Sequence, residues 1–201
     1  MKRNAPVITL LASRGVTPFA ILVSTILSLR TKDDVTREAS LRILEKGGSP
    51  EAMLSLDLKT IESLIYPVGF YKTKAKNLQA ISRILIENYH SEVPDEMDAL
   101  LALPGIGRKS ANLILVEGFQ KEGVCVDTHV HRISNRIGYV ETRTPEETEF
   151  ALRKQLPRKH WVKYNEYLVA FGQTICRPVS PFCSQCEAGD MCPRIKVTRS
   201  R

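Results

Sequence analysis

The sequence predicts an all-α protein, and three observations carry that prediction. Apolar residues recur at helical spacing through most of the 201 residues, as expected of helices that each bury one face. Prolines and glycines fall mostly between these stretches, where they end one helix and let the chain turn. The strict alternation of apolar and polar residues that is typical of half-buried strands is nearly absent.

The predicted helices follow one another through short connections. The first opens at Pro18, whose fixed φ suits a first helical turn, and the segment Ser24–Asp34 continues it, which places Arg30 on a helix. The residues Lys196–Arg201 are expected to form a frayed basic tail. Between these ends the pattern predicts helices at Val35–Glu45, Pro50–Ser55, Leu58–Ile65, Lys72–Asn88, Asp95–Leu103, Ser110–Gly118, His129–Ile137, Pro145–Leu156 and His160–Thr174.

Composition is that of an ordinary globular protein, with 43% hydrophobic and 25% charged residues. No apolar run approaches the roughly 20 residues of a membrane span, and Val7–Ala12 is too short for a signal peptide. We therefore expect an intracellular protein, in which clustered cysteines usually bind metal. Lys and Arg outnumber Asp and Glu by 29 to 22, and this basic balance is compatible with nucleic acid, an acidic partner or a membrane surface.

Four cysteines lie close together near the C-terminal end of the sequence. Cys176, Cys183, Cys186 and Cys192 have the spacing C-x6-C-x2-C-x5-C. Thiolates at this spacing can share one soft metal centre, either a tetrahedral zinc or an iron–sulfur cluster. The fifth cysteine, Cys125, lies outside the spacing and is predicted to be a small core residue.

A tight turn is predicted between two helices at residues 103–110. Pro104 ends the first helix, and Gly105 and Gly107 allow a sharp turn with positive φ. The next helix begins near Arg108, so its free N–H groups point out of the turn and attract phosphate oxygens. A helix–hairpin–helix that grips the nucleic-acid backbone without reading sequence follows from this pattern. A plain helix–turn–helix connection is the alternative.

Lys109 and Asp127 are the two candidate catalytic residues. Lys109 lies in the first turn of the helix after the hairpin, and a lysine there can be a nucleophile that forms Schiff bases with aldehyde carbons. A phosphate contact is its competing role. Asp127 precedes another predicted helix and suits an N-cap. If it also faced the lysine, it would stabilise positive charge on a sugar ring, and local sequence does not separate these roles.

Three motifs together strongly resemble the endonuclease III family of DNA base-excision glycosylases. They are Leu103–Lys109, Val126–Arg132 and Cys176–Cys192, in that order and at the family's spacing, and the resemblance covers nearly the whole chain. It implies that the hairpin binds DNA, that the lysine is the nucleophile, that the aspartate is essential and that the four cysteines hold a [4Fe–4S] cluster rather than zinc.

The resemblance also implies the architecture. It predicts two helical lobes with DNA in the groove between them: a six-helix lobe over residues 18–127, which carries the hairpin, and a cluster lobe over 1–17 plus 128–201. Lys109 and Asp127 would face each other at the mouth of that groove.

The activity implied is that of a bifunctional DNA glycosylase and AP lyase. A damaged nucleotide would be flipped out of the duplex, because its base is out of reach inside the stack. Lys109 would attack C1′, expel the base and leave an imine, from which β-elimination cuts the strand. The expected partner is double-stranded DNA with damaged bases, mainly oxidised pyrimidines, or abasic sites. The protein is expected to act as a monomer, away from membranes.

The chain departs from the family pattern at Arg30, where these enzymes usually carry a glutamine that enters the duplex. Arg30 is predicted to fill the gap beside the flipped base or to contact phosphate, and a surface arginine on a helix is the alternative. Related thymine-mismatch glycosylases have Arg-Thr at this place but a tyrosine where Lys109 stands. Substrate range therefore stays open, with a glycosylase for mismatched thymine or uracil, or a non-catalytic iron–sulfur DNA-binding module, as alternatives.

A second DNA-inserting residue is expected in the loop Gly69–Lys72. Phe70 is the candidate for stacking into the space that the flipped base vacates, and core packing is its alternative. Lys72, together with Lys74 and Lys76, is predicted to add positive charge along the DNA backbone.

Overall fold

The computed structural model describes residues 17–201. The prediction that residues 1–17 join the cluster lobe falls almost wholly on residues outside this range. Within it the protein contains ten α-helices, two single-turn 3₁₀-helices and no strand, so the all-α prediction is confirmed. The α-helices are α1 (Pro18–Ser28), α2 (Asp33–Lys46), α3 (Pro50–Ser55), α4 (Leu58–Ile65), α5 (Tyr71–Tyr89), α6 (Met97–Leu101), α7 (Arg108–Phe119), α8 (Thr128–Arg136), α9 (Pro145–Gln155) and α10 (Trp161–Thr174).

Several helices begin where the sequence places a hydroxyl immediately before a proline. The hydroxyls of Thr17, Ser49 and Thr144 each accept a hydrogen bond from the backbone N–H three residues on, and a proline follows each of them as the first helical residue. The hydroxyl satisfies one of the free N–H groups of the first turn, and proline has no N–H to satisfy there. These local signals are why the starts of α1, α3 and α9 match their predictions.

The chain divides into two compact units, of which the first ends at Lys121 and the second is Glu122–Arg201. In the first unit, α1 is buried at every residue from Phe19 to Leu27 and packs against α2, α5 and α7. Such a helix, buried on all sides, forms the centre of a core. Fully buried leucines and isoleucines surround it, and each stabilises the fold by about 1.5–3 kcal/mol relative to exposure; they include Ile43, Ile61, Leu78, Ile81 and Leu100.

The second unit has its own smaller core. Helices α9 and α10 pack against α8, and the apolar side chains of Val124, Val130, Leu152 and Trp161 are buried among them. The Trp161 indole donates to the carbonyl of Leu156 at 2.8 Å, which satisfies its one polar group. The lobe boundaries predicted at 18–127 and 128–201 remain a prediction.

The first helix ends earlier than predicted. The expected continuation through Ser24–Asp34 is wrong after Ser28, because Arg30 has φ 53°, in the left-handed region, and α2 starts afresh at Asp33. The predicted helix Asp95–Leu103 is likewise shorter and covers Met97–Leu101. No helix in the described part of the chain is long and apolar enough to cross a membrane.

Candidate functional site

The hairpin between α6 and α7 turns at Gly105 as predicted, whereas the positive φ expected at Gly107 is wrong, because Gly107 is extended with φ −105°. Gly105 has φ +81°, and a Cβ there would lie 2.4 Å from the side-chain nitrogen of Asn77 on α5. Its left-handed conformation therefore favours glycine, and a Cβ would also displace the Asn77 side chain. Leu103 and Ile106 on either side are buried, at 2% and 7% exposure, so the turn is anchored in the core of the first unit.

Gly107 is the N-cap of α7, and its surroundings are open. No side chain caps the helix, and a Cβ at Gly107 would meet nothing within 4 Å. The free N–H groups of the first turn are thus accessible to an approaching anion, and the macrodipole favours a negative charge there. Arg108 follows as the first helical residue, and its carbonyl accepts from the side-chain amide of buried Asn112 at 3.1 Å.

Lys109 is the second residue of α7 and is half-buried. Among the described residues, no group forms a hydrogen bond or ion pair with its Nζ. The amine therefore lies in the first turn of a helix next to an open anion-binding N-terminus, unengaged by the residues that the structure describes. This placement is compatible with both of its predicted roles, a nucleophile and a phosphate contact.

Arg30 and Phe70 lie together at the ends of two loops of the first unit. The Arg30 guanidinium carbon is 5.7 Å from the centre of the Phe70 ring, in a cation–π contact. Both residues have left-handed backbones, with φ 53° and 57°. Phe70 is 63% exposed, so the core-packing alternative is wrong. The pair projects an aromatic ring and a guanidinium from adjacent backbone turns.

The two loops are held in register by Gly69 and Thr31. The backbone N–H of Gly69 donates to the Thr31 hydroxyl at 3.2 Å. A Cβ on Gly69 would lie 2.7 Å from the carbonyl oxygen of Arg30, so only glycine permits this approach. The proximity of Arg30 and Phe70 thus follows from the backbone contact beneath them.

The three lysines of early α5 are not alike. Lys72 and Lys76 are exposed, whereas Lys74 is only 5% exposed, so the expectation that it adds surface charge is wrong. Its Nζ donates to the carbonyls of Leu27 and Leu29, at 2.9 and 2.5 Å, and to the Thr31 hydroxyl at 3.2 Å. Burial lowers the pKa of Lys74 to about 8. Sequence reasoning missed this residue, although its place on the buried stripe of Ala75, Leu78 and Leu85 was a signal.

Asp127 belongs to the second unit and caps α8. Its Oδ1 accepts from the backbone N–H groups of His129 and Val130 at 2.8 and 2.9 Å. No donor within the described residues reaches Oδ2, and the side chain is half-buried. One oxygen is therefore fixed by the helix, which orients the other. The loop before it is tied to α10 by Asn165, whose amide donates to the Cys125 carbonyl at 3.1 Å.

The four cysteines of the C-terminal motif line one cavity of about 50 Å³ in the second unit. No three His, Cys, Asp or Glu side chains of residues 17–201 are grouped closely enough to hold a single metal ion. Gly189 borders the cavity where a Cβ would lie 2.9 Å from the carbonyl of Cys186. Cys125 is buried in the protein core and does not line the cavity, as predicted.

Arg136 supports the first part of the cysteine loop from beneath. It is 8% exposed, and its guanidinium donates to the carbonyls of Arg177 and Pro178 at 2.6 and 2.7 Å. The same guanidinium lies 3.6 Å from the Cys176 sulfur. A buried arginine with these partners fixes the loop as it leaves α10, and the motif alone gave no sign of it.

The basic tail is ordered against the same loop, contrary to the predicted fraying. The backbone of Arg201 donates to the Pro181 carbonyl at 2.8 Å and accepts from Ser184 at 2.9 Å. The guanidinium groups of Arg177 and Arg201 lie 5.0 and 5.1 Å from the Phe182 ring centre. Long-range backbone pairing outweighs the local preference of this polar segment for disorder.

The structure thus assembles three groups of predicted site residues. Gly105, Gly107, Arg108 and Lys109 form one hairpin, Arg30 and Phe70 form a contacting pair, and the four cysteines surround one cavity. Lys72 is exposed at the start of α5, and no described residue forms a hydrogen bond or an ion pair with its side chain. Lys109 lies in the first unit and Asp127 in the second.

The comparisons with known proteins agree on one family. Residues 23–158 match the model of the HhH-GPD superfamily of base excision DNA repair proteins. Endonuclease III of Thermotoga maritima is 47% identical over 175 residues, which cover 87% of this chain and 82% of that protein. Endonuclease III homolog 1 of Arabidopsis thaliana, a chloroplastic protein, is 46% identical over 184 residues, and the chain spans about half of its length, 48%.

A solved structure shares the fold over most of the chain. It is a trapped covalent intermediate of an endonuclease III with DNA, described as an estranged-adenine complex. The sequences are 33% identical, the TM-score is 0.82, and the match covers 89% of this chain and 84% of the other.

Proposed function

Since the chain belongs to the HhH-GPD superfamily of base excision DNA repair proteins, and within it to the endonuclease III family, we propose that Lys109 and Asp127 carry out its chemistry. The family makes the protein a base excision repair DNA glycosylase, and AP lyase activity is in keeping with it. The observation that carries the proposal is the amine of Lys109, unengaged in the first turn of α7 beside an open helix N-terminus.

Lys109 is proposed as the nucleophile. Its neutral amine attacks C1′ of the flipped nucleotide, the N-glycosidic bond breaks, and the base leaves with the bonding electrons and takes up a proton. The sugar ring opens to a protonated imine on Nζ. Loss of a proton from C2′ then expels the 3′ phosphate oxygen, which cuts the strand, and hydrolysis of the imine frees the lysine. The covalent complex trapped with the related endonuclease III supports such an intermediate.

Asp127 is proposed to stabilise the positive charge that develops on the sugar as the base departs. Its Oδ1 is held by two backbone N–H groups, so Oδ2 keeps a fixed direction without a competing donor from the described residues. A carboxylate fixed in this way needs little reorganisation when positive charge develops beside it. This preorganisation is the requirement for electrostatic catalysis. The same carboxylate suits a base that helps deprotonate the Lys109 ammonium.

The hairpin is proposed to hold the DNA backbone. The open N-terminus of α7 offers N–H groups to a phosphate, and Arg108 adds a charge there. Lys72 is proposed as a further phosphate contact, and Arg30 and Phe70 as the residues that enter the duplex. The contact between these two side chains supports their action on one step of the DNA.

The four cysteines are proposed to hold a [4Fe–4S] cluster. The endonuclease III family favours a cluster over a zinc ion, and the described residues contain no group of three ligand side chains placed to hold a single metal ion. A cluster takes one thiolate on each iron and so accepts four cysteines arranged around a cavity. When bound, it supplies iron–thiolate bonds that tie the loop to the second unit.

The proposed substrates are oxidised pyrimidines in duplex DNA. A second candidate, mismatched thymine or uracil, is favoured by Arg30, whose guanidinium is held beside Phe70 where it can hydrogen-bond the base left unpaired. Duplexes with thymine glycol, dihydrouracil, G·T, G·U or an abasic site, offered to the wild type and to Arg30→Gln, separate the two. Excision of mismatched thymine that Arg30→Gln abolishes supports the second candidate.

Borohydride trapping tests the nucleophile. The wild-type protein should become covalently linked to abasic DNA on reduction, and Lys109→Gln should not. Lys59→Gln, the same change at an exposed lysine of α4, is the matched control and should trap like the wild type. Efficient trapping by Lys109→Gln would remove Lys109 from the mechanism.

A further inference from the structure

The buried lysine of α5 contacts both DNA-inserting loops. The backbone N–H of Lys74 donates to the carbonyl of Phe70 at 3.1 Å, within the first turn of the helix. Its side chain reaches the other loop, where Nζ binds the carbonyls of Leu27 and Leu29 on the near side of Arg30. One residue thus joins the backbone that carries Phe70 to the backbone that carries Arg30.

Thr31 completes the network on the far side of Arg30. Its hydroxyl accepts from Lys74 Nζ and from the backbone N–H of Gly69, both at 3.2 Å, and donates to the carbonyl of Leu29 at 3.2 Å. Arg30 is therefore bracketed by bonded groups on both sides. An arginine avoids the left-handed backbone that it adopts here unless its neighbours impose it.

We propose that Lys74 is a positioning residue, whose ammonium holds the Leu29–Thr31 turn so that Arg30 and Phe70 enter damaged DNA as one preformed wedge. The inference rests on the proposed function, since it concerns the step in which the flipped nucleotide is replaced in the stack. A preformed pair lowers the cost of ordering two side chains on binding.

The charge of the lysine suits this task. Burial lowers its pKa only to about 8, so the group is a cation at neutral pH and forms charge-assisted hydrogen bonds. Without it, the carbonyl of Leu27 loses its side-chain donor and that of Leu29 keeps only the Thr31 hydroxyl, and the turn relaxes to satisfy them elsewhere. The wedge would then lose its shape while the catalytic hairpin, which Lys74 does not contact, keeps its own.

The test is Lys74→Met, which keeps an unbranched side chain only one atom shorter and removes its donors. Two duplexes are compared: the lesion duplex that the wild type excises fastest, and a duplex with a preformed abasic site, which has no base to unstack. We expect kcat/KM to fall at least tenfold on the lesion duplex and less than threefold on the abasic duplex. Lys59→Met, at an exposed lysine of α4, should match the wild type on both.

A double-mutant cycle with Phe70→Ala separates positioning from general destabilisation. If Lys74 acts through the wedge, the double variant should lose no more than the worse single variant. Additive losses, an equal fall on both duplexes, or unchanged excision by Lys74→Met would each overturn the inference. If the methionine variant does not fold, Thr31→Val decides, because it should lose excision selectively while Thr31→Ser retains it.

Failure of the proposed function can be distinguished from failure of the inference about Lys74. A wild-type protein that neither excises any lesion base nor traps on abasic DNA overturns it, and this inference with it. If the wild type excises a lesion base and traps on abasic DNA, and Lys74→Met does so equally well, only the inference about Lys74 is overturned.

Discussion

The guanidinium of Arg136 lies 3.6 Å from the sulfur of Cys176 and binds the two carbonyls that follow this cysteine in the chain. The first cysteine of the motif is therefore placed by a residue of α8, forty positions earlier. The cysteine loop depends on this arginine for its shape as well as on any metal it holds.

Replacement of Arg136 by leucine should weaken the cysteine loop. Two charge-assisted hydrogen bonds to the carbonyls of Arg177 and Pro178 are lost, and we expect the free energy of unfolding to fall by about 3 kcal/mol. Iron content should fall below the roughly four atoms per chain of a full cluster. Arg143→Leu, at an exposed arginine, is the control. Wild-type stability and full iron content in Arg136→Leu would contradict the supporting role.

The hairpin glycines should respond differently to alanine. Gly105→Ala forces a left-handed backbone on a residue with a Cβ and drives that Cβ against Asn77, so it should destabilise the protein by about 1–3 kcal/mol. Gly107→Ala meets no protein atom within 4 Å and should cost under about 1 kcal/mol. Its methyl group instead obstructs the helix N-terminus, and DNA affinity should fall about tenfold, or 1.4 kcal/mol. Thermal unfolding and fluorescence anisotropy measure the two effects. Undiminished DNA affinity in Gly107→Ala would argue against a phosphate at α7.

Two variants of Asp127 should separate its role as a helix cap from its role in catalysis. Asparagine caps helices as well as aspartate does, so Asp127→Asn should keep the free energy of unfolding within about 0.5 kcal/mol. It lacks the negative charge, and single-turnover excision should fall at least about a hundredfold, as when other preorganised charge-stabilising groups are removed. Asp127→Ala loses the cap as well, at about 1 kcal/mol. An Asp127→Asn variant with near-normal excision would reduce Asp127 to a structural cap.

Lys74 should make stability depend on pH in the alkaline range. Its pKa is about 8 in the folded protein, because of burial, against about 10.4 in an unfolded chain. Between these values the unfolded state binds more protons, so this group's contribution raises the free energy of unfolding as pH increases from about 8 to about 10.4. The difference in the free energy of unfolding between the wild type and Lys74→Met, measured against pH, isolates the contribution of Lys74, since other groups titrate alike in both. A difference that is flat over this range would contradict the lowered pKa.

Much of this structure is predictable from sequence because its signals are local. The starts of α1, α3 and α9 each need only a hydroxyl and a proline beside it, and the N-cap at Asp127 lies beside the helix that it caps. The hairpin is similarly encoded by two glycines and a proline within four residues, Pro104–Gly107.

The features that sequence missed depend on partners far along the chain. Helix α1 ends at Ser28, where Lys74 donates to the carbonyls of Leu27 and Leu29. No residue near position 28 in the sequence predicts this contact. The tail near Arg201 is ordered by pairing with Pro181 and Ser184, which its own polar composition does not reveal. Sequence therefore predicted local caps and turns more readily than contacts between distant parts of the chain.

Helix α5 carries Lys74 and Asn77 three residues apart, one against the turn that bears Arg30 and the other against Gly105 of the hairpin. Three residues of helix correspond to a rise of about 4.5 Å. The spacing between the Arg30–Phe70 pair and the Gly105 turn is thus set by a single rigid segment rather than by flexible loops. One residue inserted between positions 74 and 77 would rotate one contact by about 100° relative to the other, so this stretch of α5 should tolerate substitutions on its exposed face but no change of length.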